Sequence, residues 1–462
     1  MRIACVVNQY PPNITAGLGR YVELMTPYLA RDHRLAVFTL NDGHQPVHER
    51  GDGVTVYRPL GRVLGAIGRR RRLNRTRGAE FALLALNVVV SNWRYFLRLR
   101  RAARGERPDL VAVHDSTNFL CGLLCHYVLR LPVVFHVHTT EYGVAAQRTI
   151  TDPLNVFAAV ERWLARISRR VVVATPEVRA ELAAAGWNRT PIDVVRLGGT
   201  YERLLADPAF DRDALRAGAA ALRTRLGIAA GDPVLLFVGR IERQKGVYPL
   251  LEAMRKIAPA VPGLRLVIVG EGDDAGVARI VAETGLDGRV LTSGGFVGGT
   301  ALLEFYEMAD ACVFPSLFEP FGLVATEAMA LARPTILGDG FSRVFLGDPD
   351  RPAVRFVRSA DPADITRVVV EVMTDPGLRR TLGTRGERFV RENLSWSRAA
   401  AETLAAYHAA LGRAPAGPAQ TDRREVSSGL GVRSGRRGGL PDVEGQPDAP
   451  EDYRPQGPEE VL

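Results

Sequence analysis

Lysine is almost missing from this chain: of 60 basic residues among 462, only Lys245 and Lys256 are lysines. Arginine has displaced it, as a GC-rich genome would produce, so an arginine alone says little about function and a lysine retained inside a motif says more. Cysteine is also scarce. Cys5, Cys121, Cys125 and Cys312 are scattered, and Cys121 and Cys125 lie one helical turn apart in an apolar context. That pattern points to small buried side chains rather than disulfides or metal ligands. Long apolar runs are lacking too. The stretch from Met1 to Val7 breaks at Asn8 and a proline pair, too soon for a signal peptide, and Phe81 to Val90 is too short and too interrupted to span a bilayer. A cytoplasmic location is expected.

What is present is the balance of a soluble globular protein, 46% apolar and 24% charged, in a chain too long for one ordinary core. Short apolar runs alternate with helical patterns. Ile3 to Val7, Leu35 to Leu40, Leu110 to Val113, Val133 to Val137 and Val171 to Ala174 form a first series of buried parallel strands. Val234 to Val238, Leu264 to Val269, Val290 to Thr292, Ala311 to Phe314 and Pro334 to Leu337 form a second. The expected fold class is therefore α/β, with two facing Rossmann-like doubly wound parallel-sheet domains and a cleft between them. The expected division is 1–196, a connector at 197–229, a second domain at 230–395 and a closing helix at 396–412. The Gly-, Pro- and Arg-rich tail, 413–462, reads as disordered.

Open α/β sheets bind ligands beyond the carboxyl ends of their strands, and the chemistry-bearing residues fall there. From Phe314 to Ala328 the chain holds Glu319 and Glu327 around a Pro-Phe-Gly turn, with Gly322 opening a helix. The free amides of Phe321, Gly322 and Leu323 suit phosphate or sugar oxygens, and the two carboxylates suit hydroxyls of one polyol ligand. In Gly239-Arg240-Ile241-Glu242-Arg243-Gln244-Lys245-Gly246 a guanidinium and an ammonium five residues apart end a strand, placed to converge on a diphosphate. Gly17 and Gly19 follow the first strand, where glycine lets backbone approach a diphosphate. His138, favoured over His136, ends another strand. Against these stand plainer readings: a carboxylate at a helix dipole, two surface cations, a loop junction and a structural histidine.

Together these segments resemble the retaining GT-B glycosyltransferases of glycosyltransferase family 4, which includes bacterial mannosyltransferases and glycogen synthases. Glu319 and Glu327 match the family's Glu-x7-Glu motif and Gly239 to Gly246 its Gly-Arg-x4-Lys-Gly motif, and the resemblance runs from Arg2 to about Leu411. It implies transfer of a hexosyl group from a UDP-, GDP- or ADP-linked sugar to a glycan or lipid-linked hydroxyl, in cell-envelope glycan, glycolipid or polysaccharide synthesis, with no metal or other cofactor. It assigns catalysis to His138, Arg240, Lys245 and Glu319. Donor binding falls to Gly17, Gly19, Gly239, Gly270, Gly272, Phe296, Val297, Phe321, Gly322, Leu323 and Glu327, with Glu327 on the ribose. His114-Asp115-Ser116 resembles a variant of the His-Asp-Trp of glycogen synthase-like members, with serine in place of the tryptophan, a change that argues against a glucan acceptor. Two segments depart from the family pattern. Leu197-Gly198-Gly199-Thr200 replaces an Asn-Gly-Val/Ile-Asp turn, and Gly338-Asp339-Gly340-Phe341 replaces a Gly-Gly and Glu, which leaves the donor open. A nucleotide-sugar 2-epimerase and a non-catalytic binding module are the alternatives on this fold. Asp348-Pro349-Asp350 has the acid-x-acid spacing of metal-dependent transferases but sits in a Pro-rich loop and reads as a turn.

The charge is concentrated. Fourteen arginines between Arg58 and Arg107 against Glu80 and Glu106 give a local +12, so the rest of the +9 chain sums to −3. Apolar and aromatic residues flanked by these arginines suit a helix on an anionic membrane surface, the alternative being a core-facing helix with a solvated arginine face. No recognition motif accompanies the charge, so no nucleic-acid partner is expected.

Overall fold

Both series of apolar runs form parallel strands buried on both faces, as strands roofed by helices must be. The computed structural model describes residues 1–14, 17–41, 44–51, 53–59, 77–138 and 156–414, the side chains at 77–85 and 156–157 excepted. The Arg69–Arg72 run, Ala16, Thr139 to Gly143 and the tail lie outside the described residues.

The first half runs β1 (Arg2–Val6), α1 (Gly17–Leu29), β2 (Arg34–Phe38), β3 (His48–Gly51), β4 (Val54–Tyr57), α2 (Arg77–Ala102), β5 (Leu110–His114), α3 (Phe119–Tyr127), β6 (Val133–Val137), α4 (Val156–Ile167), β7 (Arg170–Val173), α5 (Pro176–Ala184) and β8 (Ile192–Val194). The sheet order is β3-β4-β2-β1-β5-β6-β7-β8, parallel throughout except for the β3–β4 hairpin. β3 is polar and exposed along its length, so nothing in its composition marks it as a strand, whereas β4 alternates Val54-Thr55-Val56-Tyr57 with its valines in the core.

The second half contains α6 (Arg212–Arg225), β9 (Val234–Val238), α7 (Val247–Ala260), β10 (Arg265–Val269), β11 (Val290–Thr292), α8 (Gly299–Met308), β12 (Ala311–Phe314), α9 (Leu323–Ala330), β13 (Thr335–Gly338), β14 (Arg355–Val357) and α10 (Trp396–Ala410). Its all-parallel sheet is ordered β11-β10-β9-β12-β13-β14. Helix α6, inside the expected connector, packs on α8, and the Glu304 carboxylate fills the space where Gly218 lacks a side chain.

The last helix returns to the first half. α10 lies on α1 and against β6 and β7, and Tyr407 shares a buried 2.9 Å hydrogen bond with His136 Nε2. Where the chain crosses between halves, Trp396 donates its indole N–H to the Gly199 carbonyl at 2.9 Å. A Cβ on Gly198 would run into the Trp396 ring and backbone, so the unusual Gly-Gly linker is the space the tryptophan occupies.

All four cysteines are free and buried, as their apolar surroundings led one to expect. At the Asp348-Pro349-Asp350 turn the Asp350 amide donates to Asp348 Oδ1 at 3.0 Å, and the flanking residues pair as a short antiparallel ladder. Helix α2 buries Tyr95, Phe96 and Leu99 against the sheet, so one of its faces is core.

Candidate active site

In a doubly wound sheet the crevice opens where the strand order reverses. The first sheet reverses between β1 and β5 and the second between β9 and β12. Several of the residues singled out in the sequence lie at these two points. Gly17 begins α1 after β1, His114 ends β5, Lys245 follows β9, and Glu319 lies between β12 and α9. A Cβ on Gly17 would sit 4.0 Å from Leu323 Cδ1, so the N-termini of α1 and α9 face one another across the cleft.

Lys245 and Glu319 form a short ion pair, Nζ to Oε2 at 2.6 Å, with side chains only 18% and 12% exposed. The surrounding loops are stitched together. Leu317 N donates to Gln244 O at 2.9 Å, Gln244 Nε2 to Phe318 O at 3.2 Å, and Glu319 N to Gly340 O at 3.1 Å. Gly322 caps α9 with φ 90°, a conformation that a side chain resists, and a Cβ there would strike the Phe341 ring and the Glu319 stem. The altered segment 338–341 therefore forms the floor beneath the α9 N-terminus.

Arg240 is mostly exposed and rests on Glu242 at 2.9 Å. Gly239, Gly270 and Gly272 form adjoining strand-end loops, the Gly239 amide donating to Val269 O and the Ile241 amide to Glu271 O. Phe296 is 67% exposed, an unusual state for phenylalanine that leaves its ring free for a planar partner, while Val297 is half-buried. Phe321, by contrast, is buried beside Phe345, and its backbone alone is available to a ligand. Glu327 is buried and accepts from the Tyr306 hydroxyl at 2.7 Å. Burial raises its pKa, offset in part by that hydrogen bond and by the charge of Arg20.

His138 belongs to a cluster with His114 and His136 against Tyr21. His114 Nδ1 and His138 Nε2 share a hydrogen bond at 3.0 Å, with ring centroids 5.3 Å apart, so the rings meet head to head. His136 lies face-on to His114 at 4.4 Å. The ligating atoms of the three fall within 4.8 Å of one another. A shared cation needs in-plane lone pairs that converge; here one pair is turned on itself and the third ring is stacked. Burial pushes His138 down to about 3 and holds His114 and His136 well below the ordinary range, so all three are neutral imidazoles at neutral pH.

Two residues carry more than the sequence indicated. Asp115 has φ 68° and ψ 156°, a region nearly reserved for glycine, and its carboxylate takes the Ser116 amide at 2.9 Å. Strain of this kind persists where surrounding structure enforces it, often beside a site. Arg20, in the first turn of α1, pairs with Glu23 and acts electrostatically on Glu327. The only sequence signal for it was its place one residue after Gly19 in an arginine-rich chain.

One contact ties the halves together at the cleft. Glu177, in the first turn of α5, accepts from Ser342 Oγ at 2.7 Å and from the Arg343 amide at 2.9 Å. Beside it is a cavity of about 220 Å³, lined by Glu177, Glu181, Glu319, Asp339, Phe318 and Phe341 among others, with no basic side chain in its lining.

Comparison with known proteins bears on this geometry. Residues 219–389 match the family described as Glycosyl transferases group 1, and residues 16–198 match the Glycosyl transferase 4-like domain. The chain is 30% identical over 425 residues to glycogen synthase of Mycobacterium tuberculosis, covering 89% of this chain and 95% of that one. It is 30% identical over 332 residues to D-inositol 3-phosphate glycosyltransferase of Nocardia farcinica, covering 68% and 69%. Among solved structures, sucrose-phosphate synthase from Thermosynechococcus elongatus superposes with a TM-score of 0.70 at 21% identity, over 88% of this chain and 98% of that one.

Proposed function

From the premise that this chain belongs to the glycosyl transferases group 1 family and is a GT-B glycosyltransferase acting on nucleotide-sugar donors, we propose that it moves a hexosyl group to a hydroxyl acceptor with retention at the anomeric carbon. The observation that carries this reading is the convergence at the two switch points: the Lys245–Glu319 pair beside the α9 N-terminus, facing the α1 N-terminus across the cleft.

As the glycosidic bond stretches, positive charge grows on the sugar ring and negative charge on the departing diphosphate. Lys245, a swung-in Arg240 and the amides opening α1 and α9 meet the negative charge. Glu319, released from Lys245 when the diphosphate arrives, holds sugar hydroxyls with His138, whose neutral ring serves as a hydrogen-bond partner and not as a cation. Glu327 takes the ribose, and Phe296 with Val297 and the Gly270–Gly272 loop encloses the base. The carbon–oxygen electron pair leaves on the phosphate. That phosphate takes the proton of the acceptor hydroxyl, which bonds to the same face of the sugar. The fixed positive groups supply the charge stabilisation a metal gives other transferases, so no metal is required.

The relatives' names span a polymer-forming synthase and a transferase acting on a phosphorylated cyclitol, so the acceptor does not carry over from them. The acidic lining of the cavity beside Glu319 favours an uncharged polyhydroxyl portion of the acceptor over a phosphate there. Among the described residues no helix is long and apolar enough to cross a membrane. A cytoplasmic enzyme of cell-envelope glycan, glycolipid or polysaccharide synthesis is the setting that best suits these features.

The test is nucleotide release from a panel of UDP-, GDP- and ADP-sugars, with product stereochemistry read by NMR. Release that collapses in Lys245→Ala and Glu319→Ala, with a retained anomer, supports the reading. An inverted product, or donor binding without release under every acceptor condition, overturns it.

A further inference from the structure

Eight large apolar side chains are exposed among the described residues, and six of them fall on one layer of the first half: Leu86, Val89 and Trp93 on α2, Tyr127 and Val128 at the end of α3, and Trp163 on α4. These three helices lie side by side over one face of the sheet, α3 between the other two. Scattered exposed apolar residues need no explanation; a concentration of this kind on one face marks a binding surface. It is not spare core either, since α2 turns Tyr95, Phe96 and Leu99 inward, and α4 turns Leu164 and Ala165 inward.

The charge around these residues is of one sign. Arg94, Arg100, Arg101 and Arg104 on or just beyond α2, with Arg166 and Arg169 at the end of α4, are exposed, and none has an ion-pair partner among the described residues. No acidic residue occurs between Leu86 and Arg104 or between Phe119 and Arg130, and the one acid of α4, Glu161, is buried. Elsewhere arginines of this chain are commonly paired with carboxylates, as Arg170 with Asp193 and Arg355 with Glu371.

We propose that the outer face of the α2-α3-α4 layer docks on an anionic lipid bilayer, its tryptophans and aliphatic side chains entering the headgroup boundary while the unpaired arginines hold lipid phosphates. Indole rings favour that boundary, and guanidinium groups satisfy phosphate oxygens. The orientation suits an enzyme that reaches a lipid-borne acceptor. α2 ends where the chain turns into β5 at the amino edge of the sheet, so Leu86 and Val89 lie nearer the cleft than Arg100 and Arg101 do. The inference extends the basic segment seen in the sequence to two further helices, and it does not depend on which sugar is transferred.

Of the four tryptophans, Trp187 and Trp396 are buried, and Trp93 and Trp163 are each about half exposed. Intrinsic fluorescence therefore reports on this face. Vesicles of phosphatidylcholine with phosphatidylglycerol are expected to shift the emission to the blue and to carry the protein down on sedimentation; pure phosphatidylcholine and added salt weaken both effects. Trp93→Ser with Trp163→Ser should abolish the shift, and Arg100→Glu with Arg101→Glu should weaken sedimentation on the order of tenfold or more. Unchanged circular dichroism and melting temperature establish that both variants fold. Equal binding by wild type and variants, no binding to anionic vesicles, or a shift produced by self-association or by nucleic acid in place of lipid would overturn the proposal. Vesicle binding reads no turnover, so its failure leaves the transferase reading standing, and failed nucleotide release leaves the docking surface standing.

Discussion

Lys245 Nζ lies 2.6 Å from Glu319 Oε2, so the two charges expected to act on different parts of a donor neutralise one another when no donor is bound. Each is largely withdrawn from water, and the pair keeps either from standing as an unpaired charge beside the α9 N-terminus. Donor binding then exchanges one partner for another: phosphate for the ammonium, hydroxyls for the carboxylate.

That exchange predicts a specific pattern of stability. Lys245→Ala and Glu319→Ala should each destabilise the unliganded protein by on the order of 3 kcal/mol, because each strands the other charge, whereas the double variant should cost less than the sum. Turnover behaves differently. Both single variants and the double variant should lose about a hundredfold or more in kcat, as the removal of charge stabilisation at a leaving group does. Urea melts of the four proteins check the first expectation. Additive destabilisation would show that the pair is not coupled.

The strand runs and the helix-opening glycines were legible because buried parallel strands and positive-φ turns constrain residue type directly. Each of the ten runs read as a strand corresponds to one, its ends coinciding with the strand's or shifted by one or two residues. The β3–β4 hairpin was not legible, since His48-Glu49-Arg50-Gly51 is polar and exposed and is a strand only because Val54 to Tyr57 pairs with it. Within the site, Lys245 and Glu319 could be nominated from their motifs, but their contact spans 74 positions and no local pattern encodes it. The histidine cluster is similar. His138 was favoured by its strand-end position, while its bond to His114 and the stack with His136 depend on β5 and β6 being neighbours in register, His114 opposite His136. The Gly-Gly linker departs from the family pattern for a reason no local pattern encodes: Trp396, about 200 positions away, occupies the space a side chain on Gly198 would need.

Glu177 offers a second expectation, on closure of the cleft. Its carboxylate bonds to Ser342 Oγ and to the Arg343 amide, and the loop it grips lies over the cavity next to Glu319. Glu177→Ala should leave the fold intact, at a cost of about 1 kcal/mol or less, and raise KM for the donor several-fold more than it lowers kcat. Glu177→Gln retains an acceptor oxygen for one of the two donors and should fall between. A fall in kcat alone with KM unchanged would remove Glu177 from closure.

Acid should loosen this protein, and the sign follows from the histidines. An unfolded histidine titrates near 6.5, whereas His114 and His136 are held well below that value and His138 lies at about 3. Below about pH 6.5 the unfolded chain therefore binds protons that the folded one refuses, and stability drops as pH falls, by up to about 1.4 kcal/mol per unit for each buried imidazole. For His138 the loss runs on until the folded ring itself protonates near 3. Glu327 and Glu202 act in the opposite direction, since burial raises both and the folded protein binds their protons first. Melting temperatures taken from about pH 7 down to about pH 5, compared between the wild type and a histidine variant, separate the histidine part from that of the carboxylates. His136→Phe keeps a ring against His114 and deprives the Tyr407 hydroxyl of its partner, so it should be less stable at neutral pH and flatter toward acid. An acid slope unchanged by that substitution would place the proton uptake elsewhere in the molecule.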